Sequence, residues 1–304
     1  MSKQEGTSIT SSVTSRDGTK VGYRSIGRGP GIVFVQGSMG TIENFTQLAQ
    51  ALAGFFTIHL AERRGRGISP KRFTEDHSVE KDVEDLEAIL DKTDSHLVFG
   101  LSSGGIITLQ AALQLSTIEK IAIYEPALMV NSSSGALEAL GRFKKDMATG
   151  NTADALVTAM KASEMGPSFM SYIPNWILIS LTNILLRQEN KKAKSRGSRF
   201  WHDVAPTLQF DFKVIEEVSP RWRTFKDIKK DVLLLGGSKS PKYLHEALDS
   251  LEQVIPRFER IEFKGLDHGA AWNYHKRQNP HGDPKRVAEE LKHYFSNETY
   301  KSTI

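Results

Sequence analysis

Residues 96–106 read His96-Leu97-Val98-Phe99-Gly100-Leu101-Ser102-Ser103-Gly104-Gly105-Ile106, and the fold is decided here. An apolar run ends at Gly100, and a segment rich in Ile, Leu and Ala begins after Gly104. This is a strand, a sharp turn and a helix, with Ser102 at the apex. Glycine two residues to either side of the serine leaves room for the chain to fold across itself, because any larger side chain would collide there. The turn lifts the Ser102 hydroxyl clear of the backbone, and the N-terminus of the following helix favours negative charge beside it.

Working outward, the same strand-then-helix rhythm recurs. Ser11–Ser15 and Lys20–Ser25 alternate about Asp17-Gly18 and predict an antiparallel hairpin edge. Ile32–Gln36, Thr57–Ala61 and Ile121–Tyr124 are apolar runs suited to strands covered on both faces. Thr41–Ala53 and Val79–Lys92 predict helices, the second with Val83, Leu86 and Leu90 on one face. From about Pro126 to Lys230 long helical segments run on without a strand. The rhythm then resumes with Val232–Gly236, a helix over 241–254, Arg260–Phe263 and a last helix over 283–295. Strands alternating with helices predict an α/β fold with a mostly parallel, doubly wound sheet. The expected division is a core of residues 1–126 and 231–304 with a helical cap over 127–230, above the sheet edge where ligands bind.

Bulk properties narrow the function. The 304 residues are 39% hydrophobic and 25% charged, as in ordinary soluble proteins. A net charge of +4 spread thinly along the chain does not imply nucleic acid. There is no cysteine, which excludes disulfides, thiolate metal sites and a cysteine nucleophile. No motif asks for a cofactor or a metal. Met1–Ser12 is polar and lacks an apolar leader, so it reads as a frayed lead-in and the expected location is cytoplasmic. Tyr172–Leu186 is apolar but interrupted by Pro174, Asn175 and Asn183, and is too short for a membrane span of about 20 residues. It reads as a buried or pocket-lining helix.

Two further segments converge on Ser102. Gln36-Gly37-Ser38-Met39-Gly40 closes the first central strand, where backbone N–H groups of Ser38 and Ser103 are candidates for an oxyanion hole. Gly265-Leu266-Asp267-His268-Gly269 follows the last strand. A serine hydroxyl needs a base that titrates near neutrality, and His268 alone of nine histidines has that placement. His202, His275 and His281 read as surface residues, without metal-site spacing.

This pattern resembles the α/β-hydrolase superfamily over about residues 11–297. It looks closest to a group of mostly uncharacterised microbial hydrolases with segments that here read Arg63-Arg64-Gly65-Arg66-Gly67, Ser102-Ser103-Gly104-Gly105, Tyr124-Glu125-Pro126 and Thr207-Leu208-Gln209-Phe210-Asp211. The resemblance implies the fold, a helical cap and a Ser-acid-His triad. Two departures stand out. Gln36-Gly37 replaces the common His-Gly, and the usual position of the acid reads Gly237-Ser238-Lys239-Ser240-Pro241, with no carboxylate. Haloalkane dehalogenases and some lactonases instead carry the acid after the strand that follows the nucleophile helix, which implies Glu125 here. Asp267, Asp203 and Asp211 remain alternatives. The arginine-rich loop reads as a backbone turn with surface ion pairs.

The expected chemistry is hydrolysis of a carboxylic ester or lactone. Amide and C–C bond hydrolysis remain open, as does a non-catalytic small-ligand receptor on the same scaffold. Phe169, Tyr172, Trp176, Phe200, Trp201 and Phe210 make the cap aromatic. Met39, Trp176, Trp201 and Phe210 are the candidate substrate contacts, suiting a fairly apolar small molecule, and the face from Tyr172 to Leu186 is a candidate homodimer surface.

Overall fold

The computed structural model describes residues 8–69, 76–131, 134–163, 170, 172–196 and 200–296. Eight strands form one sheet: β1 (Ile9–Thr14), β2 (Lys20–Gly27), β3 (Gly31–Val35), β4 (Thr57–Ala61), β5 (Leu97–Leu101), β6 (Lys120–Tyr124), β7 (Asp231–Gly237) and β8 (Phe258–Phe263). Their order is β1-β2-β4-β3-β5-β6-β7-β8. β1 and β2 pair antiparallel, β2 joins β4 antiparallel, and every later pairing is parallel. β1 begins at Ile9, paired with Ser25, inside the stretch expected to fray. Its Thr/Ser-rich residues are held by the ladder rather than by an apolar face of their own.

Side chains of the central strands alternate between two cores. Val33, Val98, Ile121, Ile123, Val232 and Leu234 face one core, together with α2 (Val79–Thr93), α3 (Ser103–Gln114) and α9 (Lys242–Glu252). Ile32, Phe34, Phe99, Leu101, Tyr124, Leu233 and Leu235 face the other, with α1 (Thr46–Leu52) and α10 (Pro284–Phe295). Each fully buried aliphatic contributes about 1.5–3 kcal/mol, which is why these strands read as unbroken apolar runs.

Between β6 and β7 lie α4 (Ser134–Ala148), α5 (Thr152–Ala162), α6 (Asn175–Arg196), α7 (Phe200–Val204) and α8 (Leu208–Val218). Phe143, Ala155, Ala159 and Leu208 make a small core of their own, with Met39 packed against it. α8 faces both ways. Its Val214 and Val218 are buried in the main core beside α2 and α3.

α6 corrects the expectation of a buried helix. Leu178 and Leu186 are covered, but Trp176, Leu181, Ile184 and Leu185 are exposed. The helix packs chiefly on α5 and α7, so one narrow stripe is covered and the rest of its apolar surface faces outward. Among the described residues no helix is long and apolar enough to cross a membrane.

The tight crossing at the end of β5 sets the geometry of the sheet edge. A Cβ on Gly104 would meet the carbonyl oxygens of Val35 and Gln36, the latter at 2.5 Å, and a Cβ on Gly100 would lie 2.6 Å from the Gly104 oxygen. Both obstacles are backbone and cannot swing aside. Gly104→Ala is therefore expected to lower the unfolding free energy by about 1–3 kcal/mol. Gly141→Ala, on α4 with open space around its Cα, is expected to raise it by about 0.5–1 kcal/mol. Urea titrations of the two variants check this, and equal stability for both would contradict it.

Candidate active site

Ser102 stands at φ 58° and ψ −122°, a region that costs a non-glycine residue on the order of 1–3 kcal/mol. The strain is held in place from three sides. The Ser102 N–H donates to the Tyr124 carbonyl (3.0 Å), its own carbonyl accepts from Gly105 and Ile106, and Gly37 lies so close that a Cβ there would be 2.8 Å from the Ser102 Cβ. Four non-glycine residues among those described have positive φ, and three of them, Met39, Ser102 and Glu125, belong to this one edge of the sheet. Backbone strain gathers where side chains must be aimed rather than packed.

Glu125 follows β6 and is fully buried. One carboxylate oxygen accepts the Gly237 N–H (2.6 Å), and the other lies 2.7 Å from His268 Nδ1. Both oxygens serve as acceptors, so Nδ1 carries the proton and Nε2 is left as the basic nitrogen. The histidine loop rests on β7: a Cβ on Gly237 would stand 2.8 Å from the Asp267 nitrogen, and the Tyr124 hydroxyl donates to the Asp267 carbonyl (2.9 Å). Burial pushes the Tyr124 hydroxyl above its ordinary range, keeping it a donor. The Asp267 carboxylate accepts the Gly269 N–H (2.9 Å) and so closes its own turn.

The arginine-rich loop after β4 is not a surface feature. Arg63, Arg64 and Arg66 are buried, and their ion pairs with them. Asp211 of α8 lies between Arg63 and Arg66, bonding Arg63 Nη1 through one oxygen and Arg66 Nη2 through the other (2.5 Å). Arg66 Nη1 also donates to the carbonyls of Gly37 (2.8 Å) and Gly40 (3.0 Å), bracketing the loop that carries Ser38 and Met39. The Ser103 hydroxyl donates to Asp211 (2.8 Å) and accepts from Arg63 (3.1 Å) and the Ser38 hydroxyl (3.2 Å). Asp82 and His77 complete the cluster on the far side of Arg63. Burial pushes the Asp82 carboxyl up, but Arg63 and His77 outweigh it and hold the group well below its ordinary range.

The sequence-predicted residues divide accordingly. Ser102, His268, Glu125, Ser38, Ser103 and Met39 lie on the carboxyl edge of the sheet, and Met39 also touches the small core of the inserted helices. Phe210 stacks edge-on against His77, beside the arginine cluster (4.7 Å between ring centres). Trp176 is 70% exposed and Trp201 43% exposed, on faces turned to solvent. Phe169 and the side chains of Phe200 and His202 lie outside the described residues. Sequence reasoning missed Asp211 as the partner of the arginines. The signal was present in the two quoted segments, which carry an unusual surplus of arginine and one aspartate respectively.

A strained serine between strand and helix, a histidine after the last strand and a buried carboxylate on that histidine thus share one edge of an α/β sheet. The Alpha/beta hydrolase family model matches residues 32–290, and the chain belongs to that family. It is 26% identical to the uncharacterized hydrolase YraK of Bacillus subtilis over 269 residues, covering 85% of this chain and 89% of that one. An α/β hydrolase structure from Sphaerobacter thermophilus superposes with a TM-score of 0.71 at 26% identity, covering 94% of this chain and all of the other. A thermophilic esterase from Thermogutta terrifontis shares the fold at 13% identity (TM-score 0.67, coverage 95% and 98%), and so does a meta-cleavage product hydrolase from Pseudomonas fluorescens at 15% (TM-score 0.62, coverage 94% and 97%).

Glu62, at the end of β4, gives the edge a titrating group. Burial pushes its carboxyl up to about 7, against smaller opposing effects from the Ile42 N–H and Arg66. Between its ordinary value of 4.5 and about 7 the folded chain then binds more protons than the unfolded chain at this residue, so its contribution to stability falls as pH rises through that window. The stability of Glu62→Gln relative to the parent protein is expected to rise from pH 5 to about pH 7 and to level off above it. Denaturant titrations at four pH values measure it, and a difference that stays constant would show that Glu62 ionises normally.

Proposed function

We propose that the protein is a serine hydrolase that cleaves a carboxylic ester or lactone through an acyl-enzyme, with Ser102 as nucleophile, His268 as general base and Glu125 as the orienting acid. The observation that carries this reading is the Glu125–His268 contact, because an acid bonded to Nδ1 fixes the tautomer that a serine nucleophile requires. The strained, glycine-flanked position of Ser102 supports it independently.

In this mechanism Ser102 Oγ attacks the acyl carbon while His268 Nε2 takes its proton. The carbonyl π electrons move to oxygen, and the backbone N–H groups of Ser38 and Ser103 stabilise the oxyanion. As the carbonyl re-forms, the bond to the leaving alcohol breaks and Nε2 returns the proton to that alcohol. Water then repeats the sequence on the acyl-enzyme and releases the acid. Glu125 keeps its charge throughout and stabilises the imidazolium. The described residues of 127–230 act as a cap, and the partly buried Met39, backed by the small core of Phe143 and Leu208, offers an apolar contact beside the oxyanion loop, suited to an apolar acyl group.

The test is a panel of p-nitrophenyl esters, lactones, anilides and a vinylogous 1,5-diketone, run against the purified protein with Ser102→Ala as the blank. Esters or lactones are expected to be turned over fastest, and preference for the diketone would move the assignment to C–C bond hydrolysis. In the same assay Glu125→Gln should fold normally and lose about 10⁴-fold in kcat. Near-normal kcat in that variant would remove Glu125 from the site.

A further inference from the structure

Asp211 is a fully buried carboxylate on an inserted helix, and it is tied to both halves of the oxyanion hole, to one directly and to the other through an arginine. It accepts the Ser103 hydroxyl directly (2.8 Å). Through Arg66, bonded at 2.5 Å, it reaches the Gly37 and Gly40 carbonyls on either side of Ser38 and Met39. Arg63 ties the same carboxylate to Ser103 a second time (3.1 Å). We propose that Asp211 is a positioning residue that sets the spacing of the two oxyanion donors, so that the oxyanion hole is complete only when α8 is docked.

The two donor N–H groups lie on separate elements, the loop after β3 and the first turn of α3, and no covalent link fixes their separation. Besides the direct bond between the Ser38 and Ser103 hydroxyls, one buried carboxylate supplies that link, bonded directly by Ser103 and, through Arg66, tied to the loop after β3. Met39 at positive φ shows that the loop does not relax into an unstrained shape on its own, and the Arg66 bracket across it supplies the constraint. Because the carboxylate comes from the inserted helices, the structure that covers the site also completes it. Donors held in place before reaction stabilise the transition state without a cost of reorganisation, and a displacement of about 1 Å lowers rate by about 100-fold.

This inference rests on the serine-hydrolase reading above. The experiment compares Asp211→Asn, Ser103→Ala and the parent protein, with active sites counted by fluorophosphonate titration and Ser102→Ala run beside them. Asp211→Asn is expected to lower kcat per titrated site by about 100-fold with KM within about threefold. It should weaken binding of a trifluoromethyl ketone, whose adduct carries an oxyanion, by a similar factor. A variant that melts at a lower temperature but keeps the parent kcat per titrated site and the parent affinity for the ketone would make Asp211 a structural residue only and overturn the proposal. Should Asp211→Asn fail to fold, Ser103→Ala decides, since it leaves both ion pairs in place. About a tenfold loss in kcat and in ketone affinity is expected, and parent values would overturn the proposal. Turnover surviving in Ser102→Ala would instead count against the serine-hydrolase reading itself.

Discussion

Everything at the carboxyl edge of this sheet depends on how closely the end of β3 approaches the turn after β5. Backbone oxygens of the β3 end occupy the space a Cβ on Gly104 would need, and a Cβ on Gly37 would stand 2.8 Å from the Ser102 Cβ. That approach holds Ser102 in a strained conformation, and it brings the loop of Ser38 beside Ser103. The cost is local and modest, on the order of a few kcal/mol. It is offset by a sheet in which the parallel-paired strands β3, β4, β5, β6 and β7 bury apolar side chains on both faces.

The proposed acid stands one strand away from the position where the fold more often carries it. At the end of β7 the chain carries Ser238, Lys239 and Ser240, with no carboxylate. Glu125 stands one strand over, with its own N–H paired to Leu235 of β7, and it uses the Gly237 N–H to anchor the oxygen that does not face His268. The strand without the acid thus still takes part, through its backbone. Such an arrangement leaves the histidine loop free to rest on β7, where glycine at 237 admits it.

The sheet was legible because its signals are short-range. Every strand read from apolar runs is present to within two residues at either end, and the hairpin at Asp17-Gly18 pairs Val13 with Val21 as a tight turn requires. The elbow and the histidine loop were legible for the same reason, since each sets its functional residue between two glycines within five consecutive residues. Glu125 emerged only from an absence elsewhere in the chain together with a family resemblance. The arginine cluster was misread as a surface feature because its partner lies 145 residues from Arg66 and 148 from Arg63. Arginine in a turn is ordinarily solvated, and only the docking of α8 shows otherwise. The exposure of Trp176 was illegible on similar grounds: apolar periodicity shows that a face exists, not that another element covers it.

The central claim is that Ser102 forms a covalent acyl intermediate. Rapid-quench mass spectrometry of the protein mixed with a p-nitrophenyl ester tests it most directly, with peptide mapping of any adduct. The expected result is the mass of the acyl group on the peptide containing Ser102, appearing before steady-state release of acid and absent in Ser102→Ala. Turnover without an adduct, in a protein whose Ser102→Ala variant remains active, would contradict it.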